Sequence, residues 1–185
     1  FTMAESAQFT VLMDDALAIE SGARILGSVG DVFVNADGYK KSIPGPGIGN
    51  YITVAKAMAS ARTMLGEEGL RYSTYMQAHG TGTPQNRVTE SAIMSKLAQA
   101  FDIPQLTIAA IKSYVGHSLA PAGGDQLAAI LGAWQDGIVP GIKTIDHIAA
   151  DVAQERLYFP MADQARDIDN MRGAFVNSKG FGGNN

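Results

Sequence analysis

Apolar positions along the chain change period several times, and each change predicts an element. Ser6 to Met13 alternates as a strand does, and Asp14 to Gly22 reads as a short helix closed by glycine. Ala23 to Phe33, ARILGSVGDVF, predicts a second strand, with Gly27 and Gly30 marking a bulge or a close approach. The Pro-Gly repeats of NADGYKKSIPGPGIGN (35–50) predict a long loop. Ile52, Ala55, Met58, Ala59 and Met64 then recur at helical spacing, giving a helix from about Tyr51 to Leu65. A strand over Tyr72 to Ala78 follows, then a helix from about Gln85 to Ala100 with Val88, Ile93, Met94 and Leu97 on one side. LTIAAI (106–111) is a short buried strand, and HSLAPAGGDQLAAILGAWQ is an alanine- and glycine-rich helix suited to close packing. Leu157 to Phe159 and Gly173 to Asn177 complete the strands. Helices alternating with strands predict an α/β layered fold with a mostly parallel sheet, with no fixed-period repeat and no internal linker.

At 185 residues, 46% hydrophobic and 17% charged, this is about one globular domain. A net charge of −4 gives no electrostatic reason to expect nucleic acid or an anionic membrane as partner. No apolar run approaches the roughly 18 residues of a membrane span, and FTMAESAQ lacks the basic start of a signal peptide, so a soluble, cytoplasmic setting is expected. The absence of cysteine excludes disulfides, thiolate zinc sites and a cysteine nucleophile carried by this chain. A start without methionine and a stop on GFGGNN lead us to expect that the chain is cut from something longer.

Three stretches share one design, a strand ending in a polar, glycine-rich turn: AHGTGT (78–83), IKSYVGHS (111–118) and NSKGFGG (177–183). Ligands of open α/β sheets bind beyond the carboxyl ends of the strands. His79 and His117 lie at two such exits, whereas His147, after Asp146 in a polar connection, reads as structural. GHSLA (116–120) nearly matches the G-x-S-x-G elbow of serine hydrolases, with Ser118 as nucleophile. However, Ala120 fills the last position, Lys112 to Val115 separate it from the strand, and a triad would need Asp125, Asp136 or Asp146 with His147. GPGIGN and GFGG lack phosphate-loop spacing, and DVFVNADG is too poor in spaced carboxylates for calcium, so no metal site is expected.

Taken together, HGTGTPQNRVTE, KSYVGHSLAPAGG and NSKGFGG resemble, in order and spacing, the C-terminal half of β-ketoacyl-acyl-carrier-protein synthases, condensing enzymes of the thiolase superfamily. AESAQFTVLMDD and IESGARILGSV look like the segments leading into that half, so the resemblance covers essentially the whole chain. It implies a thiolase-like half with helices on both sheet faces, residues 1–24 ending the preceding N-terminal half and 25–185 forming the C-terminal one. It also implies decarboxylative Claisen condensation of an acyl thioester with malonyl thioester, the nucleophilic cysteine lying in the N-terminal half. By the family pattern His79 and His117 are the enolate's hydrogen-bond donors, Lys112 the active-site lysine and Glu90 the carboxylate that partners it. Thr81 and Thr83 match the hydroxyls that hold phosphopantetheine, and Phe181 matches the gating phenylalanine, its backbone N–H completing an oxyanion hole. The implied partners are acyl carrier protein, the N-terminal half and a second copy in a homodimer. No cofactor is implied beyond the phosphopantetheine that the substrate carries on acyl carrier protein or coenzyme A.

The chain departs from that pattern at four positions: Arg87 replaces an aspartate, Ala120 and Pro121 alter the usual GHSLGAAG, and Lys179 replaces an aromatic residue, which bears on acyl-pocket shape. A non-catalytic partner subunit resembling a chain-length factor is the alternative, and intact His79, Lys112 and His117 argue against it. Thiolases proper and the serine hydrolase fit less well.

Overall fold

β1 (Thr74–Gln77) and β2 (Leu106–Ala109) are buried along their whole length, as central strands covered on both faces must be. The computed structural model describes residues 1–38, 47–162, 164, 166, 167, 170–181 and 183–185, with 166 and 167 as backbone only. β4 (Leu157–Tyr158) and β6 (Gly173–Val176) flank the central pair in a parallel sheet of order β4-β2-β1-β6. Its register sets Tyr75 against Thr107 on one side and against Ala174 on the other. Parallel neighbours need a crossover, and α3 (Pro84–Ala100) provides it between β1 and β2.

Helices cover both faces. α2 (Ile48–Tyr72) and α3 place Val54, Met58, Leu70, Ile93, Met94 and Leu97 on one face, against Met76, Leu106 and Ile108. α5 (Ala122–Asp136) packs Ile130 and Ala133 against Tyr75 and Ala109 on the other. Burying these side chains supplies the main stabilisation, about 1.5–3 kcal/mol for each large one.

Several expectations need correction. Neither Ser6–Met13 nor Ala23–Phe33 is a strand; between them α1 (Asp15–Glu20) forms under an Asp14 cap. A strand persists only where a neighbour takes its N–H and C=O groups, and among the described residues no strand lies beside these two segments. Instead Met3 bridges His117. The α2 helix passes the predicted end at Leu65 because the chain turns at Gly66 (φ 76°, ψ 173°) and resumes, which buries Leu70. A one-turn helix, α4 (Lys112–Val115), follows β2, and the next helix starts at Ala122, after Pro121 in its N-cap position, rather than at His117. β3 (Ile138–Val139) and β5 (Arg166–Asp167) form an antiparallel pair that hydrophobic periodicity does not predict in strands of two residues. Of the predicted 35–50 loop, Tyr39–Pro46 lies outside the described residues.

Candidate active site

The sheet delivers two histidines to one place. His79 leaves β1 and is only 6% exposed, while His117 follows α4; their rings meet edge to face with centroids 5.4 Å apart. Both turns are built on positive φ, at Gly80 (55°) and Gly116 (76°), conformations that glycine adopts without strain. A Cβ on Gly80 would stand 2.9 Å from that of Ala110, so the two loops touch there. The His117 loop is also pinned to the start of the chain, its N–H donating to the Thr2 carbonyl at 2.8 Å.

Each imidazole accepts a backbone N–H at Nδ1. Lys179 N–H donates to His79 at 3.2 Å, and Leu119 N–H donates to His117 at 3.0 Å. A nitrogen that accepts cannot carry a proton, so each neutral ring bears its hydrogen on Nε2. The Leu119 donor is aimed by a left-handed backbone (φ 66°), unusual for a branched aliphatic residue. Burial pushes the His79 pKa down to about 4, and the charges of Lys112, His117 and Lys179 lower it further against the opposing pull of Glu90. Burial likewise lowers the His117 pKa, with Lys112 adding to the effect. Both rings are therefore neutral hydrogen-bond donors near pH 7.

Glu90 organises the floor. Oε1 accepts from His79 N–H at 2.8 Å and Asn177 Nδ2 at 2.6 Å, and Oε2 from Gly80 N–H at 3.0 Å and Asn86 Nδ2 at 2.8 Å. These bonds change the expected Glu90–Lys112 partnership. Lys112 Nζ is buried with no hydrogen-bond partner among the described residues, because four nearer N–H groups fill the carboxylate. The pair interacts through space: burial lowers the Lys112 pKa, and the charges of Glu90 and Asp125 oppose it.

Thr81 and Thr83 lie with hydroxyls 3.0 Å apart before α3. A cavity of about 570 Å³ opens beside Thr81, Glu90, Lys112 and His117, with Met94, Ile108, Leu157 and Phe159 giving it an apolar wall. Phe181 stands apart from this cluster at 76% exposed, and Gly182 of its turn lies outside the described residues. Ser118 donates to the Asp125 carboxylate, while His147 is exposed and pairs with Asp146 at 2.5 Å, so the hydrolase constellation is not assembled.

Sequence reasoning missed Asn86, Asn177 and Gln126. Gln126 Nε2 reaches the carbonyls of Gln77, Ala78 and Asn177 and so ties the ends of β1 and β6 to α5. Asn86, four residues before Glu90 on one helix face, was findable by helical spacing; Asn177 and Gln126 act across long sequence separations and left no local signal. Of the altered positions, Arg87 pairs with Asp151 at 2.8 Å and Lys179 is buried.

Residues 26–146 match the family described as "Beta-ketoacyl synthase, C-terminal domain". The chain belongs to the β-ketoacyl synthases. Over its whole length it is 55% identical to the beta-ketoacyl-[acyl-carrier-protein] synthase FabY of Pseudomonas aeruginosa, of which it spans 29%. It is 31% identical to 3-oxoacyl-[acyl-carrier-protein] synthase 2 of Synechocystis sp., spanning 42% of that protein. A crystal structure of the FabY ketosynthase from P. aeruginosa superposes with a TM-score of 0.87 at 53% identity, over 94% of this chain and 27% of that one. The ishigamide ketosynthase/chain length factor structure gives a TM-score of 0.74 at 26% identity, over 92% of this chain and 39% of that one. The chain thus spans less than a third of the FabY protein, and its thiolase-like α/β fold is that of the synthases' C-terminal region. Among the described residues no helix is long and apolar enough to cross a membrane.

Proposed function

We propose that this chain is the C-terminal part of a β-ketoacyl-acyl-carrier-protein synthase, bringing two enolate donors to a decarboxylative Claisen condensation. One observation carries the proposal: each histidine is held neutral, with its hydrogen on Nε2, by a backbone donor at Nδ1. In the reaction the bond from the malonyl α-carbon to its carboxylate breaks, carbon dioxide leaves, and the electron pair forms an enolate on the thioester. His79 and His117 stabilise the enolate oxygen by donating from Nε2, as oxyanion donors do in a dry site. The enolate carbon then attacks the acyl carbonyl held on a cysteine of the N-terminal half, and the thiolate leaves. Lys112, buried beside them with no hydrogen-bond partner among the described residues, donates to the anionic partner, and Glu90 fixes the His79 and Gly80 backbone through its hydrogen bonds. Thr81 and Thr83 hold the phosphopantetheine arm of acyl carrier protein or coenzyme A, and Phe181 gates the acyl end.

The N-terminal half docks on the first third of the chain, where Phe9 is 99% exposed and Val11, Leu12, Val29, Val32 and Val34 are exposed as well. Apolar exposure on that scale marks an interaction face. The full-length enzyme works as a cytoplasmic homodimer in fatty acid or polyketide synthesis. With the chain joined to its N-terminal half, His79→Ala or His117→Ala should lower malonyl decarboxylation and condensation about a hundred- to a thousandfold. Near-normal rates in either variant would refute the assignment.

A further inference from the structure

Lys179 is only 7% exposed, and a lysine ammonium is costly to bury without a partner. Its backbone N–H donates to His79 Nδ1 at 3.2 Å, and its Nζ donates to Asn86 Oδ1 at 3.3 Å. Asn86 passes the connection on through Nδ2 to Glu90 Oε2 at 2.8 Å, and Glu90 Oε1 accepts from His79 N–H at 2.8 Å. The bonds form a closed ring that leaves Lys179 by its side chain and returns to its backbone through His79. Only one orientation of the Asn86 amide suits the ring, with Oδ1 toward the cation and Nδ2 toward the carboxylate. A side chain at 179 without a donor would free that amide to turn.

Four charged or titratable groups act on His79: Glu90 on α3, Lys112 on α4, His117 in the turn after it, and Lys179 beyond β6. Glu90 favours the protonated ring, and the other three favour the neutral one. A proton on His79 Nδ1 would face the Lys179 N–H donor to donor and push the ring from its seat.

We propose that Lys179 is a positioning residue for the condensation: through Asn86 it orients the Glu90 carboxylate, and its charge keeps His79 neutral and seated as an Nε2–H donor. This rests on the role given to His79 above. The decisive measurement is malonyl-thioester decarboxylation against pH in the full-length protein, for wild type, Lys179→Met, Lys179→Gln, Lys179→Arg and His79→Ala. In the two neutral variants the acid limb of the profile moves to higher pH by about half a unit or more. In Lys179→Arg, which keeps the charge, the limb stays at its wild-type position. An unmoved limb in a folded neutral variant overturns the proposal, as does an arginine variant shifted as far as the methionine one. Lys179→Gln retains an amide donor for Asn86, so it carries the comparison should Lys179→Met not fold. Loss of folding in both would overturn the proposal in favour of a purely structural lysine. Wild-type decarboxylation in His79→Ala would instead defeat the functional reading itself. Loss in His79→Ala with an unmoved limb in the neutral variants defeats only the role of Lys179.

Discussion

Replacing Glu90 by glutamine tests how the site floor is held, since the change keeps shape and alters only the polarity of one carboxylate oxygen. Each oxygen of Glu90 accepts two N–H groups: Oε1 from His79 and Asn177, Oε2 from Gly80 and Asn86. Whichever way the new amide turns, its NH₂ faces two buried donors that have lost their acceptor. Asn86 cannot turn to relieve this without setting its own NH₂ against Lys179 Nζ, which now lies on Asn86 Oδ1 at 3.3 Å. A buried donor left without a partner costs about 1–3 kcal/mol, so two cost about 2–6 kcal/mol. Against a typical total stability of about 5–15 kcal/mol, that is a large share. Urea unfolding of the chain joined to its N-terminal half, followed by circular dichroism, should show the unfolding free energy falling by that amount and the midpoint falling with it at an unchanged slope. Loss of the negative charge also removes the one influence that raises the His79 pKa, so the acid limb of the rate profile should move down rather than up. A Glu90→Gln variant within about 1 kcal/mol of wild type would refute the four-donor floor.

Stability should also depend on pH through His79, whose pKa falls from the ordinary 6.5 to about 4 on folding. The unfolded chain binds the proton first, so stability is complete above 6.5 and is lost as pH falls from there toward 4, by about 3 kcal/mol. Urea midpoints at several pH values should show this slope in wild type and a shallower one in His79→Asn; equal slopes would sink it. The isolated chain should transfer no acyl group, because it has no cysteine to hold one, and should bind a hydrophobic dye through the exposed apolar residues of its first third. Unaided condensation would count against a nucleophile in the N-terminal half, and an absence of dye binding against the docking face.

By itself the sequence determined the longer helices and the four strands of the parallel sheet, because their signals are local. Ile52, Met58 and Met64 repeat at the helical period, and LTIA is apolar enough to be covered on both faces. His79, His117, Lys112 and Glu90 stood out in the sequence as candidates as well, since two of the three motifs in register carry them. Where the signal was equally local but the partner was not, as at Ser6–Met13 and Ala23–Phe33, alternation predicted strands that have no neighbour to pair with among the described residues. Only the tertiary structure decided what Glu90 holds. Its donors come from residues as far away as Asn177, 87 positions along the chain, and Lys112 has no hydrogen bond among the described residues. Only the fold, too, set the Lys179 backbone against the His79 ring across 100 positions and buried its ammonium beside Asn86. Periodicity reports which face of an element is apolar, whereas a buried polar group is satisfied by whichever donor the packing of separate elements brings within about 3 Å.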